Sequence, residues 1–432
     1  MGRRKLVFGA ALSGGGENTA VWRHPRDLPD AAINLDYYKN AARKAESGKL
    51  DFVFVGDSLY INAQSHPHLL NRLEPLTLLT ALAGVTSRIG LVATLSTTYT
   101  EPYNAARLFA SLDLISDGRA GWNMVTSALE GSALNFSKST LPDHDERYLM
   151  AEEFVQVVKG LWNSWEDDAF VVDKEKGIYF DPSKLHVLNH QGNYYSVQGP
   201  LNITSSKQGH PVLVQAGSSE AGKAFSSRTA DIVFTHQHGL EEAKRYYREV
   251  KDKAAAFGRS RDELFILPGI GIIIGDTPAE AERKYEEIAG LVNIKDALTD
   301  LAKYFNGIDL YRYPLDEPFP TELVDAGSNG YRSAVDRMVG LAKEESLTLR
   351  QLALRLATPR NGSLLVGTPD HIADTIQEWF EQEAADGFII SPGPIIPEGI
   401  NDFVDKVIPL LQERGLYRTE YETDTLRGHL GL

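Results

Sequence analysis

Eight short apolar runs, most of them followed by a stretch of helical periodicity, constrain this chain more than any other feature. They are LVFGAAL from Leu6, DFVFVG from Asp51, IGLVATL from Ile89, AGWNMV from Ala120, PVLVQAG from Pro211, DIVFT from Asp231, LFILPGIGIII from Leu264 and DGFIIS from Asp386. All are rich in β-branched or aromatic residues. They read as continuous rather than alternating hydrophobicity, the pattern of parallel strands covered on both faces. Amphipathic segments lie between them. NLDYYKNAARKAESGK has Asn34 placed to cap it and Gly48 to end it, and EPLTLLTALAGVT carries Pro75 in a first turn. EPYNAARLFASLDLIS, ERYLMAEEFVQVVKGLW and LEEAKRYYREVKDKAAAFG follow the same rule. Alternation of this kind predicts an α/β chain folded as a (β/α)8 TIM barrel. An open doubly wound sheet is the alternative, but no G-x-G-x-x-G follows a strand to support it.

Two stretches exceed a minimal barrel. Residues 165–210, between the fourth helix and the fifth strand, are rich in Asp, Gly, Pro and Asn. Residues 275–367, after the seventh strand, hold helical patterns such as TPAEAERKYEEIAGLV and SAVDRMVGLAKEE around the proline-rich YRYPLDEPFP. Both are expected to be insertions in one domain spanning 1–432, because the run at Asp386 is still needed to close the sheet.

Bulk composition mainly excludes. The chain has 432 residues and no cysteine, which removes disulfides, thiolate catalysis and cysteine-ligated metal. Its net charge of −15 argues against a nucleic-acid or anionic-membrane partner. No run approaches the roughly 18 apolar residues of a membrane span. MGRRKLVFGAAL has the order of a signal peptide, yet the apolar run is short and no clear cleavage site ends it, so a first strand is expected. Absence of cysteine fits a reducing compartment, and a cytoplasmic location is expected.

In a barrel of this kind chemistry sits at the C-terminal ends of the strands. Asp57 and Ser58 follow the second strand; Thr94, Ser96 and Thr97 follow the third; Asn123, Thr126 and Ser127 end the fourth. Gln215, Gly217, Ser218 and Ser219 end the fifth; Thr235, His236 and His238 end the sixth. Any one of these is explained by helix capping. Five strands ending so in a row are not. In VQAGSSEAGK a strand passes through Gly217 into two serines and a helix, which is a phosphate seat in principle and an ordinary capped helix otherwise. LPDHDERY places His144, Arg147 and Tyr148 on the rim before a helix, where they could complete an anion site or form a surface turn. Histidines do not predict a metal. His186 and His190 fall in loop and strand rather than on one helix face, His66 and His68 read as loop, and the His236–His238 pair lacks further ligands.

SDGRAGWNMVTS, VLVQAGSSEAGKAFSSRTADIVFT and ADGFIISP together resemble the bacterial-luciferase-like flavin monooxygenases. The branch is that of nitrilotriacetate monooxygenase component A and dibenzothiophene-sulfone monooxygenase. The likeness runs from WRHP at Trp22 to RTEYETDTLRGHLGL at the C-terminus, with LWNSWEDDA and GPLNI between. The resemblance implies an enzyme of two components. A separate NAD(P)H:flavin reductase supplies reduced FMN, and one atom of O2 passes to a small organic substrate, an organosulfur compound or an aminopolycarboxylate. It implies Asp57 and Thr94 beside the isoalloxazine, and His144, Tyr148 and Ser218 at the phosphate and ribityl end. Asn123 and Ser219 join these on position in the barrel. A phosphate seat after strand five is unusual, since barrel phosphate sites more often follow strands seven and eight. A homo-oligomer, dimer or tetramer, is expected. A deazaflavin-dependent oxidoreductase or a non-catalytic flavin-binding protein could use the same scaffold, and a metal-dependent barrel hydrolase stands behind them. The loops after strands one, two and seven mix apolar and basic groups and do not choose between substrates.

Overall fold

The computed structural model describes residues 4–14, 20–63, 65, 67–326, 332–357, 363–391 and 398–432. All eight expected strands form: β1 Val7–Ala11, β2 Phe52–Val55, β3 Gly90–Ser96, β4 Ala120–Val125, β5 Val212–Ala216, β6 Ile232–Thr235, β7 Phe265–Ile274 and β8 Gly387–Ser391. Each pairs in parallel with the next. β8 returns to β1 in register Val7 to Gly387, which closes the barrel. Connecting helices pack outside: α1 Leu35–Ser47, α2 Pro75–Ala83, α3 Pro102–Ile115, α4 His144–Trp162, α5 Glu220–Thr229 and α6 Leu240–Ala256. Their starts are chemically marked. The Asn34 side chain accepts from the Asp36 and Tyr37 amides, and Glu74 caps α2 ahead of Pro75.

Side chains alternate along each strand between the barrel interior and the helix layer. Val7, Phe52, Phe54, Val92, Val212, Val214, Ile232, Leu267 and Ile389 fill the interior. Leu426 and Leu430 join them from a C-terminal helix, Leu426–Leu430, that plugs the N-terminal end. Trp122 has the opposite parity. Fully buried, it points outward against Phe109 of α3 and Phe154 and Trp162 of α4, and its Nε1 donates to the Leu95 carbonyl at 3.2 Å. Trp122→Ala is expected to cost about 3–5 kcal/mol, read as a lower urea midpoint with an unchanged slope.

Two elements were not legible in advance. Within 165–210 a short hairpin pairs His190–Gln191 with Ser196–Val197. Glu153 of α4 ties it down, accepting from the Asn193, Tyr194 and Tyr195 amides and pairing with His190 at 3.1 Å. Within 275–367 a four-residue strand, Leu364–Gly367, adds in parallel to Gly271–Ile274 of β7. The rest of that stretch is largely helical: α7 Pro278–Ala289, α8 Ile294–Tyr304, α9 Arg332–Glu344 and α10 Leu349–Ala357. Leu298, Leu301, Phe305, Phe319, Met338 and Leu352 make an apolar cluster of their own there. α11, Pro369–Glu381, then leads into β8.

Candidate active site at the barrel mouth

Thr94 and Asn123 stand opposite each other in the β3–β4 ladder. Both share the inward parity of Val92. Asn123 donates from Nδ2 to Thr94 Oγ1 at 2.9 Å, while its Oδ1 is buried with no partner among the described residues. Both residues are almost fully buried, at 3% and 2% exposure. A buried amide oxygen without a donor costs about 1–3 kcal/mol, so this atom asks for a ligand donor. One turn further out the hydroxyls of Ser96 and Ser127 meet at 2.8 Å, with Ser127 held at φ 46°. Thr126 contributes its carbonyl, which accepts from Thr98 Oγ1 at 2.7 Å.

Asp57 follows β2 on the neighbouring side of the mouth. Its Oδ1 accepts from the Ser58 amide at 2.8 Å and from Arg72 Nη2 at 2.7 Å. Burial raises the Asp57 carboxyl despite that pairing. Asp57 and Arg72 border a cavity of about 310 Å³, walled by Leu12, Tyr38, Phe54, Leu69 and Leu73. Among the described residues Arg72 finds acceptors for Nη2 alone, which leaves Nε and Nη1 for a ligand.

The third part of the mouth is the β5–α5 turn. Ser219 caps α5, accepting from the Gly222 amide at 3.1 Å. Ser218, just before it, is exposed and has no hydrogen-bond partner among the described residues. Gly217 and Gly222 are needed for close approach. A Cβ on Gly222 would lie 2.8 Å from Tyr148 Oη and 3.0 Å from the Gly217 Cα. The Gly217 carbonyl accepts from Tyr246 Oη at 3.1 Å.

Tyr148 reaches this turn and His144 packs on Tyr148, with one correction to their placement. They lie in the first two turns of α4, not ahead of it, because Asp143 already occupies the position before the helix. Their rings stack edge-on at 5.1 Å, and Tyr148 meets Phe225 of α5 at 5.9 Å. Arg147 donates from Nη1 to the Pro142 carbonyl at 2.6 Å and keeps a buried Nε without a partner among the described residues. The seven expected residues therefore form two groups. Asp57, Thr94 and Asn123 line the β2–β4 side; His144, Tyr148, Ser218 and Ser219 gather where α4 meets α5.

The ends of β5 and β6 supply a further polar layer, with Gln215 on the helix side and His236 beside the inward Phe234, ring to ring at 4.8 Å. Gln215 and Gln237 each bury an Oε1 with no partner among the described residues, and Gln237 Nε2 donates to Thr235 Oγ1 at 2.8 Å. Desolvation lowers both His236 and His238, which favours neutral imidazoles. Among the described residues no group of three histidines and carboxylates could hold a metal. His186 and His190 instead pair separately with Glu166 and Glu153. His66 and the side chain of His68 lie outside the described residues.

Sequence reasoning missed Arg72 and Tyr99. Arg72 meets Asp57 fifteen positions away, across a connection with one short helix at Pro67–Leu70, and no periodicity encodes the contact. Tyr99, in the STTYTEP run directly after β3, was findable by position; its hydroxyl is buried without a partner among the described residues and its ring stacks on Phe136 at 4.8 Å.

A closed parallel barrel with a polar mouth defines a class of enzyme scaffold, and comparison with known proteins narrows it. The family model for luciferase-like monooxygenase matches residues 19–386. N-acetyl-S-(2-succino)cysteine monooxygenase of Bacillus subtilis (strain 168) is 51% identical over 430 residues, covering 100% of this chain and 97% of that one. Nitrilotriacetate monooxygenase component A of Aminobacter aminovorans is 45% identical, covering 99% and 97%. A riboflavin lyase solved with modified FMN and riboflavin superposes with a TM-score of 0.86 at 35% identity, covering 99% and 96%. This chain belongs to the luciferase-like monooxygenase family, and it is an oxidoreductase of the monooxygenase type.

Proposed function

We propose that this protein is the oxygenating component of a two-component system that takes reduced FMN from a separate NAD(P)H:flavin reductase. Asn123 Oδ1 carries the reading: a buried acceptor on the inward face of the mouth, in a family whose relatives handle flavin. Asp57, Thr94 and Asn123 would line the isoalloxazine. Ser218 and Ser219, with Tyr148 and His144 over them, would hold the phosphate and ribityl end at the α5 N-terminus, where free amides and the helix dipole favour an anion. When bound, reduced FMN supplies the electrons that let one atom of O2 enter a substrate while the other leaves as water. The chain's own part is to bind, orient and exclude water. The component wording in the nitrilotriacetate relative's name supports a partner. The two named relatives act on carboxylated molecules, so a small carboxylated thioether or amine is the proposed substrate class, with the spare Arg72 edge as one handle.

Anaerobic titration with reduced FMN and with a reduced deazaflavin tests the cofactor. Micromolar or tighter binding of reduced FMN, followed on aeration by one ¹⁸O from ¹⁸O2 in N-acetyl-S-(2-succino)cysteine product, is the expected result. Preference for deazaflavin, or retention of flavin with no oxygen-dependent product from any carboxylated thioether or amine, would overturn it.

A further inference from the structure

At the other end of the barrel a second concave site stands out. A cavity of about 240 Å³ opens beside the start of β5 and is bordered by Lys159, His210, Asp231 and Arg427. Lys159 is in the last turns of α4, the helix whose first turns carry His144 and Tyr148. Arg427 comes from the C-terminal helix that plugs this end. Volume for about eight waters is available, at roughly 30 Å³ each.

The charges there do not balance. Asp231 Oδ2 is already engaged by Arg427 Nη1 at 3.0 Å and by the Leu213 amide at 2.8 Å. Arg259 adds a third cation within electrostatic reach of Lys159. The Asp113 carboxyl, the other acid near Arg427, is committed to Ser206, Gln208 and the Ala120 amide. Lys159 has no hydrogen-bond acceptor among the described residues; burial lowers its ammonium, and the nearby Asp231, which raises it, is opposed by Arg259 and Arg427. His210 spends Nε2 on Asn163 Oδ1 at 2.9 Å and keeps Nδ1. A half-buried lysine with no hydrogen-bond acceptor among the described residues, beside two arginines and one already engaged carboxylate, is costly. An anion in the cavity would remove that cost.

We infer that this cavity is an anion site, with Lys159 and the free edge of Arg427 as donors and a phosphate-sized oxyanion as ligand. It is separate from the flavin phosphate seat, because it lies at the N-terminal ends of β5 and β6. Occupancy stabilises the folded chain by mass action.

The test follows thermal unfolding of the FMN-saturated protein with inorganic phosphate or AMP, against sodium chloride at equal ionic strength. Saturating FMN removes the mouth from competition, and the Ser218→Asp protein, which keeps this cavity, serves as a second background. Phosphate should raise Tm by about 3 °C or more at 100-fold excess over its Kd. Lys159→Gln should lose that response while its own Tm without phosphate is unchanged or higher, and Lys159→Arg should keep it. A shift with phosphate alone assigns the free anion; an equal shift with AMP assigns the phosphate end of a larger ligand. A Lys159→Gln response equal to the parent's, or phosphate no better than chloride, would overturn the site.

Discussion

Ser218→Asp is expected to fold like the parent and to lose at least about a hundredfold in affinity for reduced FMN. Ser218 is exposed, makes no hydrogen bond among the described residues, and precedes the Ser219 cap. An aspartate there gains from the α5 dipole, about 0.3–1 kcal/mol, so the fold has no reason to suffer. The same carboxylate then occupies the place proposed for the phosphate. At an effective dielectric near 20, two unit charges about 4 Å apart repel by about 4 kcal/mol, before the second phosphate charge is counted. Salt and side-chain movement reduce that figure, and a hundredfold needs only about 2.7 kcal/mol. Riboflavin is the decisive control, because it lacks the phosphate. Its affinity should be nearly unchanged in Ser218→Asp, and Ser218→Asn should retain most FMN binding. Equal losses for riboflavin and FMN would mean that the substitution disturbed the isoalloxazine side. No loss for either would move the phosphate away from the β5–α5 turn.

How far the sequence carried the fold depends on where each element is buried. Barrel strands are covered on both faces, so they appear as unbroken apolar runs, and β1 to β8 all stand where such runs predict them. Leu364–Gly367 escaped because four residues at the edge of β7 carry too little pattern to separate them from the helical stretch around them. The start of α4 was misjudged by two residues. Pro142 and Asp143, followed by acidic Asp145 and Glu146, mark the true start, but an apolar period appears only further on. The candidate site divides similarly. Residues at strand ends could be ranked by a rule about barrels. Contacts between loops could not. Arg72 with Asp57, and Glu153 beneath the hairpin, meet through irregular connections whose path no hydrophobic period records. Trp122 and Asn123 show the limit most clearly. They are adjacent in the apolar run AGWNMV, and parity sends the indole into the helix layer and the amide into the mouth.

That parity supports the second large effect. Thr94→Val combined with Asn123→Leu should leave the flavin-free protein as stable as the parent or more so, while abolishing oxygenation. Removing both partners of a buried hydrogen bond and filling their space with apolar atoms is close to neutral. Here the parent also carries the orphaned Asn123 Oδ1, whose loss is worth about 1–3 kcal/mol of folded stability. Val92 and Val214 already line the barrel interior, so the new side chains meet apolar neighbours. Function should move the other way, because the only groups lost are those turned toward the proposed isoalloxazine. Urea unfolding of the flavin-free protein gives the first sign, and reduced-FMN titration with single-turnover product formation gives the second. Asn123→Leu alone should be less stable than the double variant, since it leaves Thr94 Oγ1 buried without its donor. A double variant that is destabilised by several kcal/mol would make the pair a structural hydrogen bond. One that is stable and fully active would remove Thr94 and Asn123 from the flavin site.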